Sequence, residues 1–282
     1  MASKAPDESA SGERGCDHQH GHHHERGHCE HERQEHGQEH HHDRHGHDFE
    51  DTAEWWNKAY SSPGGDFDTV KLTPLLPQIY EALTENRPCV DIFVPLCGKS
   101  PDLLWLAEKG HRVSGTEWAE VAVKQFFEEH KLEYTTETFK IGDADIPVYK
   151  GTVVPITIYC VDHFAFGESL YKAGQFDCVW DCGSVCSIGK DARSKYAAVD
   201  SLLLRSKGKV FLSVYEWDTP EPVTEPCFPM PIEDVRAMFQ DQFDIKLLLE
   251  ADKRTVEEFF EMMGGDEEMN TRWIIYKLTK KE

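Results

Sequence analysis

The segment Val90–Ser100, V-D-I-F-V-P-L-C-G-K-S, constrains the fold most. Its apolar first half is a buried strand over Val90–Leu96. The turn Pro95-Leu96-Cys97-Gly98-Lys99-Ser100 then leads into an apolar-periodic helix over Pro101–Lys109, ended by Gly110. A buried strand that turns through a glycine into a helix is the opening unit of an open α/β sheet. In such sheets ligands sit beyond the carboxyl ends of the strands. Gly98 lets a ligand approach the backbone, and the helix start offers free N–H groups.

The rest of the chain keeps that alternation. Strands are predicted at Arg112–Trp118, Val148–Lys150, Ile156–Val161, Phe176–Trp180, Val210–Tyr215, Ile245–Leu249 and Trp273–Leu278, and helices at Ala119–His130, Ala192–Leu204 and Ile232–Gln240. This spacing indicates an α/β fold with a mostly parallel sheet covered by helices on both faces. The last two strands have no clear full helix between them, which allows an antiparallel pair at the sheet edge. Ahead of the sheet, Asp51–Tyr60 reads as a short helix capped by Asp51 or Thr52, and Leu72–Leu83 as a second.

The ligand can be narrowed at the turn. A phosphate-binding P-loop requires a glycine five residues before Gly98, where Phe93 stands, so the phosphate cradle is missing. The dinucleotide fingerprint fails as well, because the turn has one glycine. The next strand ends in Gly115-Thr116-Glu117, where Glu117 can accept hydrogen bonds from ribose hydroxyls. Asp162-His163 follows a later strand, where an adenine amino group needs an acceptor. A ribose and an adenine without a pyrophosphate point to S-adenosylmethionine.

Composition divides the chain in two. Thirteen of the 16 histidines lie between His18 and His47, and residues 1–48 offer too little apolar surface to offset the entropy of ordering, so they are predicted to be a disordered, acidic, His-rich tail. Residues 49–282 are the catalytic body. The net charge is −22; with 11 acids and 5 bases in the tail, the body carries −16. That charge repels phosphate backbones and anionic lipid and argues against nucleic-acid and membrane partners. Nine cysteines without a C-x-x-C pair, and no apolar leader, indicate reduced thiols and a cytoplasmic protein, expected as a monomer. Tail clusters such as His22-His23-His24 and His40-His41-His42 suit transition-metal chelation, although a solvated, pH-sensitive spacer explains them better.

The motifs V94-P-L-C-G-K-S100, L106-A-E-K-G-H-R-V-S-G-T-E117, Q125-F-F-E and Phe176-Asp-Cys-Val-Trp-Asp181, with the tryptophan-containing stretch Glu54–Lys58, resemble the thiopurine S-methyltransferase family. The resemblance is close from Glu54 to Tyr215 and looser beyond. It implies a class I methyltransferase fold, Rossmann-like, with a seven-stranded sheet whose last strand is antiparallel. It also implies cofactor contacts: Trp55 and the segment up to Phe67 as a cap, Leu96 and Gly98 at the methionine portion, Glu117 at the ribose, Asp162 and His163 at the adenine. Phe67 would pack at the substrate mouth. Cys182 takes the cofactor-side position where animal members carry an arginine, and the acidic stretch Val256–Met269 is longer than the family's substrate-side loop.

The sulfonium is an activated methyl donor, so a thiolate acceptor needs alignment rather than an elaborate base. Asp181, at the end of its strand, is the candidate for orienting or deprotonating the substrate, weighed against a plain turn acid. Cys178, Cys182 and Cys186 recur at four-residue intervals, but buried free cysteines explain them better than a metal site. The leading expectation is methyl transfer to the sulfur of a small thiol or thiopurine-like substrate. Metalloid, selenium, tellurium or halide acceptors are the alternative. A third reading, of another class, is a His-rich metal-binding protein on a methyltransferase-like scaffold.

Overall fold

The computed structural model describes residues 52–62, 71–169, 174–217, 228–262 and 271–282. Helix α1 (Ala53–Ser61) opens on Thr52, whose side chain accepts from the N–H of Trp55, and α2 (Leu76–Thr84) begins with a proline in its first turn. The sheet then begins with β1 (Asp91–Val94), α3 (Asp102–Glu108), β2 (Arg112–Glu117) and α4 (Glu120–Glu129). A hairpin follows, β3 (Tyr134–Ile141) and β4 (Ala144–Gly151), then β5 (Ile156–Cys160), α5 (His163–Glu168) and β6 (Phe176–Cys182). The chain closes with α6 (Arg193–Leu203), β7 (Leu204–Glu216), α7 (Ile232–Phe239), β8 (Phe243–Glu250), α8 (Lys253–Met262) and β9 (Arg272–Lys280).

One sheet joins all these strands in the order β3-β4-β5-β2-β1-β6-β7-β9-β8. Neighbours from β5 through β7 are parallel, while β9 is antiparallel to both β7 and β8. The seven strands from β5 to β8 reproduce the expected sheet with one reversed strand. The β3–β4 hairpin adds two more, paired antiparallel to β5. Strand order reverses around β1: β2 and β5 lie to one side, β6 and β7 to the other. The crevice beyond β1 and β6 is the switch point at which such sheets bind ligands.

Burial follows the strand pattern. Phe93, Val179, Trp180, Val210, Phe211 and Leu212 are fully enclosed in the sheet, and Phe126, Phe127 and Tyr196 bring the helices against it. Each enclosed apolar side chain of this size contributes about 1.5–3 kcal/mol. The expectation of no full helix between the last two strands is corrected by α8. Its apolar residues recur at helical spacing, with Val256 buried and Phe259 against Trp273 at 4.6 Å between ring centroids. No helix among the described residues is long and apolar enough to cross a membrane.

Candidate active site

The glycine turn is held by left-handed backbone at two positions, Leu96 with φ of 42° and Gly98 with φ of 51°. Cys97 tucks beneath it, and its N–H donates to the Thr116 carbonyl at 2.8 Å. That packing explains Gly115: a Cβ there would lie 2.8 Å from the Val94 carbonyl oxygen and 2.9 Å from Cys97 Sγ. The G-x-E motif is thus fitted to the turn of the neighbouring strand.

Glu117 ends β2 inside this corner and is 6% exposed. Its Oε2 accepts from the Gly98 N–H at 2.8 Å and its Oε1 from the Ala119 N–H at 2.7 Å. Burial pushes its carboxyl above the ordinary value, opposed by the N–H groups of Ala119, Gly98 and Trp118. Each carboxylate oxygen has a second lone pair, so an anchored acid can still receive ribose hydroxyls. Lys99 turns away from the crevice: its buried ammonium pairs with Glu129 on α4 at 2.6 Å. The lysine of the apparent P-loop half-motif therefore ties the turn to a helix.

Helix α1 lies against α4 and the glycine turn. Asn57 Oδ1 accepts from the Val121 N–H at 3.0 Å, and Gln125 Nε2 donates to the Tyr60 carbonyl at 3.0 Å. Tyr60 reaches Gly98 so closely that a Cβ there would sit 2.4 Å from its hydroxyl. Desolvation, then the charges of Glu117 and Cys97, holds this phenol well above its ordinary pKa. Trp55, half-buried on α1, meets Trp56 edge-to-face at 4.9 Å. Leu96, Gly98, Glu117 and α1 are thus gathered in one corner. Phe67 lies outside the described residues.

Two of the expected site residues, His163 and Asp181, turn their side chains inward. Asp162 caps α5, its Oδ1 accepting from the Phe164 N–H at 2.9 Å, but the ring of His163 turns inward and is 4% exposed. Its Nδ1 lies 3.0 Å from Thr116 Oγ1, among Phe93, Phe164 and Tyr196. Only its backbone can face an adenine. Asp181 is fully enclosed, with Oδ1 accepting from the N–H groups of Ser184 and Val185 and Oδ2 from the Tyr196 hydroxyl at 2.7 Å. It anchors the turn after β6. Desolvation raises its carboxyl to about 6, against those three donors.

Cys182 ends β6, half-buried, with Sγ 3.3 Å from Thr73 Oγ1, and burial pushes its thiol up to about 12. Among the described residues no group of three or more His, Cys, Asp or Glu side chains could hold a metal ion, so the four-residue cysteine spacing makes no such site.

Sequence reasoning missed the residues that fix the crevice walls. Ser184 Oγ donates to the Pro95 carbonyl at 2.7 Å and ties the loop after β6 to the glycine turn. Fully buried Asp102 accepts from the Thr73 N–H at 2.9 Å and from Trp180 Nε1 at 2.8 Å, which seats the Thr73–Cys182 contact. Of these, Trp180 stood within the Phe176–Asp181 motif, whereas Ser184, Thr73 and Asp102 carried no signal. A cavity of about 590 Å³ opens at the other end of the sheet, but its charged lining is self-paired, Arg112 with Asp91 and Lys150 with Glu137.

A Rossmann-like sheet, a one-glycine turn and a buried acid ending the second strand define a class I methyltransferase. Two solved structures share the fold: one from work on converting a disulfide bond into a thioacetal group during echinomycin biosynthesis (TM-score 0.53, 14% identity, covering 82% of this chain and 93% of that one), and Haemonchus contortus phosphoethanolamine N-methyltransferase 2 with S-adenosylhomocysteine (TM-score 0.52, 14% identity, 82% and 56%). The thiopurine S-methyltransferase family profile matches residues 51–280. A probable thiopurine S-methyltransferase of Danio rerio is 33% identical over 82% of this chain and 92% of its own length. The enzyme of Aliivibrio fischeri is 33% identical over 66% and 82%. The chain belongs to the thiopurine S-methyltransferase family. It is an S-adenosylmethionine-dependent methyltransferase, and S-adenosylmethionine is its cofactor.

Proposed function

We propose that the methyl group passes to the sulfur of a small thiol or thiopurine-like substrate. Membership of a family whose similar members are described as thiopurine S-methyltransferases carries this reading. The cofactor fits the corner on its own chemistry: an approachable glycine, a buried acid beside it and a capping helix. Glu117 would accept the ribose hydroxyls and the Asp162 turn the adenine side. Leu96 and Gly98 would face the methionine portion, with Trp55 and the rest of α1 as cover. Cys182, at the end of β6, would border the donor, and Phe67 the substrate mouth.

When bound, S-adenosylmethionine supplies an activated methyl group. The residues of this chain have to orient the acceptor at about 3–3.5 Å, in line with the donor bond, and keep water out. Asp181 would serve by fixing the turn after β6 through Ser184 and Val185, and Glu117 by binding the cofactor, which leaves neither as the substrate's base. A thiol suits such a site, because it ionises near neutral pH unaided. A methyl-transfer screen over aromatic thiols, thiopurines, selenite, tellurite and halides tests this. Turnover confined to the inorganic acceptors would overturn the sulfur assignment. The histidine clusters of residues 1–48 add a proposed second property, chelation of zinc, copper or nickel separate from turnover.

A further inference from the structure

Two buried side chains face each other with unpartnered polar atoms. His163 Nε2 and both carboxylate oxygens of Asp200 make no hydrogen bond, and Nε2 lies 4.0 Å from Asp200 Oδ1. Asp200, on α6, is fully buried. A buried carboxylate without partners beside an unpartnered imidazole nitrogen is a costly arrangement unless the two complete each other. His163 starts α5 directly after Asp162, and its other ring nitrogen meets Thr116, the neighbour of Glu117.

We propose that His163 and Asp200 hold one proton between them and act as positioning residues, locking the Asp162 turn to β2 and α6. Closing the gap by about 1 Å makes a hydrogen bond of ordinary length. Thr116, His163 and Asp200 then form a continuous polar bridge through an otherwise aromatic layer of Phe93, Phe164 and Tyr196. The bridge fixes the spacing between Glu117 and the turn assigned to the adenine, so its effect on function rests on that assignment. The ionisable groups facing the pair are Tyr196 and, through its hydroxyl, Asp181. Burial disfavours the charged forms of both partners: it lowers His163 to about 3 and raises Asp200 well above its ordinary value.

Stability against pH tests the shared proton without cofactor. The folded pair keeps one proton, whereas the unfolded chain holds two below the ordinary Asp value of 3.8 and none above the ordinary His value of 6.5. Stability from the pair therefore rises with pH only between about 3, where folded His163 gives up its proton, and 3.8, is level to about 6.5, and then falls tenfold in the folding constant per pH unit for as long as the folded pair keeps its proton. Urea unfolding of the wild type, minus that of the His163→Ile/Asp200→Leu double variant, should show both limbs. A flat difference would overturn the shared proton. For the positioning role, Asp200→Leu should weaken S-adenosylhomocysteine binding by about fivefold or more, and Asp200→Asn, whose amide can donate to Nε2, should restore it to within about twofold. In turnover the loss should fall on KM for the cofactor rather than on kcat. Unchanged affinity in Asp200→Leu overturns the positioning role, while wild-type affinity and the Glu117 variant separately test the cofactor site.

Discussion

The N–H of Gly98 donates to Glu117 Oε2 at 2.8 Å, so the turn after β1 and the acid ending β2 form one preorganised corner. The second anchor, from the Ala119 N–H, holds the carboxylate in a fixed orientation. In the proposed ribose site, a cofactor hydroxyl meeting that acid would find its acceptor already oriented, with little side-chain entropy lost on binding.

Glu117→Ala removes the acceptor and should weaken S-adenosylhomocysteine binding by about 1.5–3 kcal/mol per charge-assisted hydrogen bond lost, roughly ten- to a hundredfold. Calorimetric titration of the folded variant reads it directly. Equal affinity would remove Glu117 from the ribose.

Gly98→Ala meets two obstacles, the left-handed φ of 51° and the Tyr60 hydroxyl 2.4 Å from the new methyl group. The backbone strain alone should destabilise the fold by about 1–2 kcal/mol. Removing the hydroxyl with Tyr60→Phe should relieve the clash but not the strain, so Gly98→Ala should cost less in the Tyr60→Phe background than in the wild type. If thermal unfolding gives the same cost in both backgrounds, the Tyr60 hydroxyl does not press on the turn.

Asp181 gives a pH signature of the opposite kind to an ion-paired acid. With its folded value raised to about 6 from 3.8, the folded state binds the proton more tightly. Its contribution is greatest below 3.8 and declines as pH rises to about 6. Asp181→Asn should abolish that slope. At neutral pH it should cost about 1–3 kcal/mol, because an amide puts a donor opposite the Ser184 and Val185 N–H groups or the Tyr196 hydroxyl. Chemical unfolding at several pH values measures both effects, and an unaltered slope would assign the titration elsewhere.

Removing residues 1–48 should leave turnover and Tm unchanged while abolishing retention on immobilised nickel, since the family match begins at residue 51. A marked loss of turnover would give the histidine segment a part in catalysis.

The sheet was legible wherever local pattern and burial agree. Apolar runs such as Ile156–Cys160 and Phe176–Cys182 declared themselves because both their faces are covered. Strand β3 did not, for Tyr134–Ile141 is mostly exposed and polar and is held by pairing with β4, a long-range property. Helix α8 was hidden by its acids, although Val256 and Phe259 are three apart on its packed face. At the site, Glu117 and Gly98 were readable because a strand-end acid and a turn glycine have fixed places in this sheet. The inward turns of His163 and Asp181 depend on Thr116 and Tyr196, whose nearness exists only in the fold.

In the proposed function, the Gly98–Glu117 corner binds S-adenosylmethionine for transfer to sulfur. Transfer of labelled methyl from S-adenosylmethionine to a thiopurine, with product mass and the Glu117→Ala variant read in parallel, tests it most directly. The predicted result is an S-methylated product and a sharply raised KM for the cofactor in the variant. No methylated sulfur product from any thiol or thiopurine, or a variant indistinguishable from wild type, would contradict it.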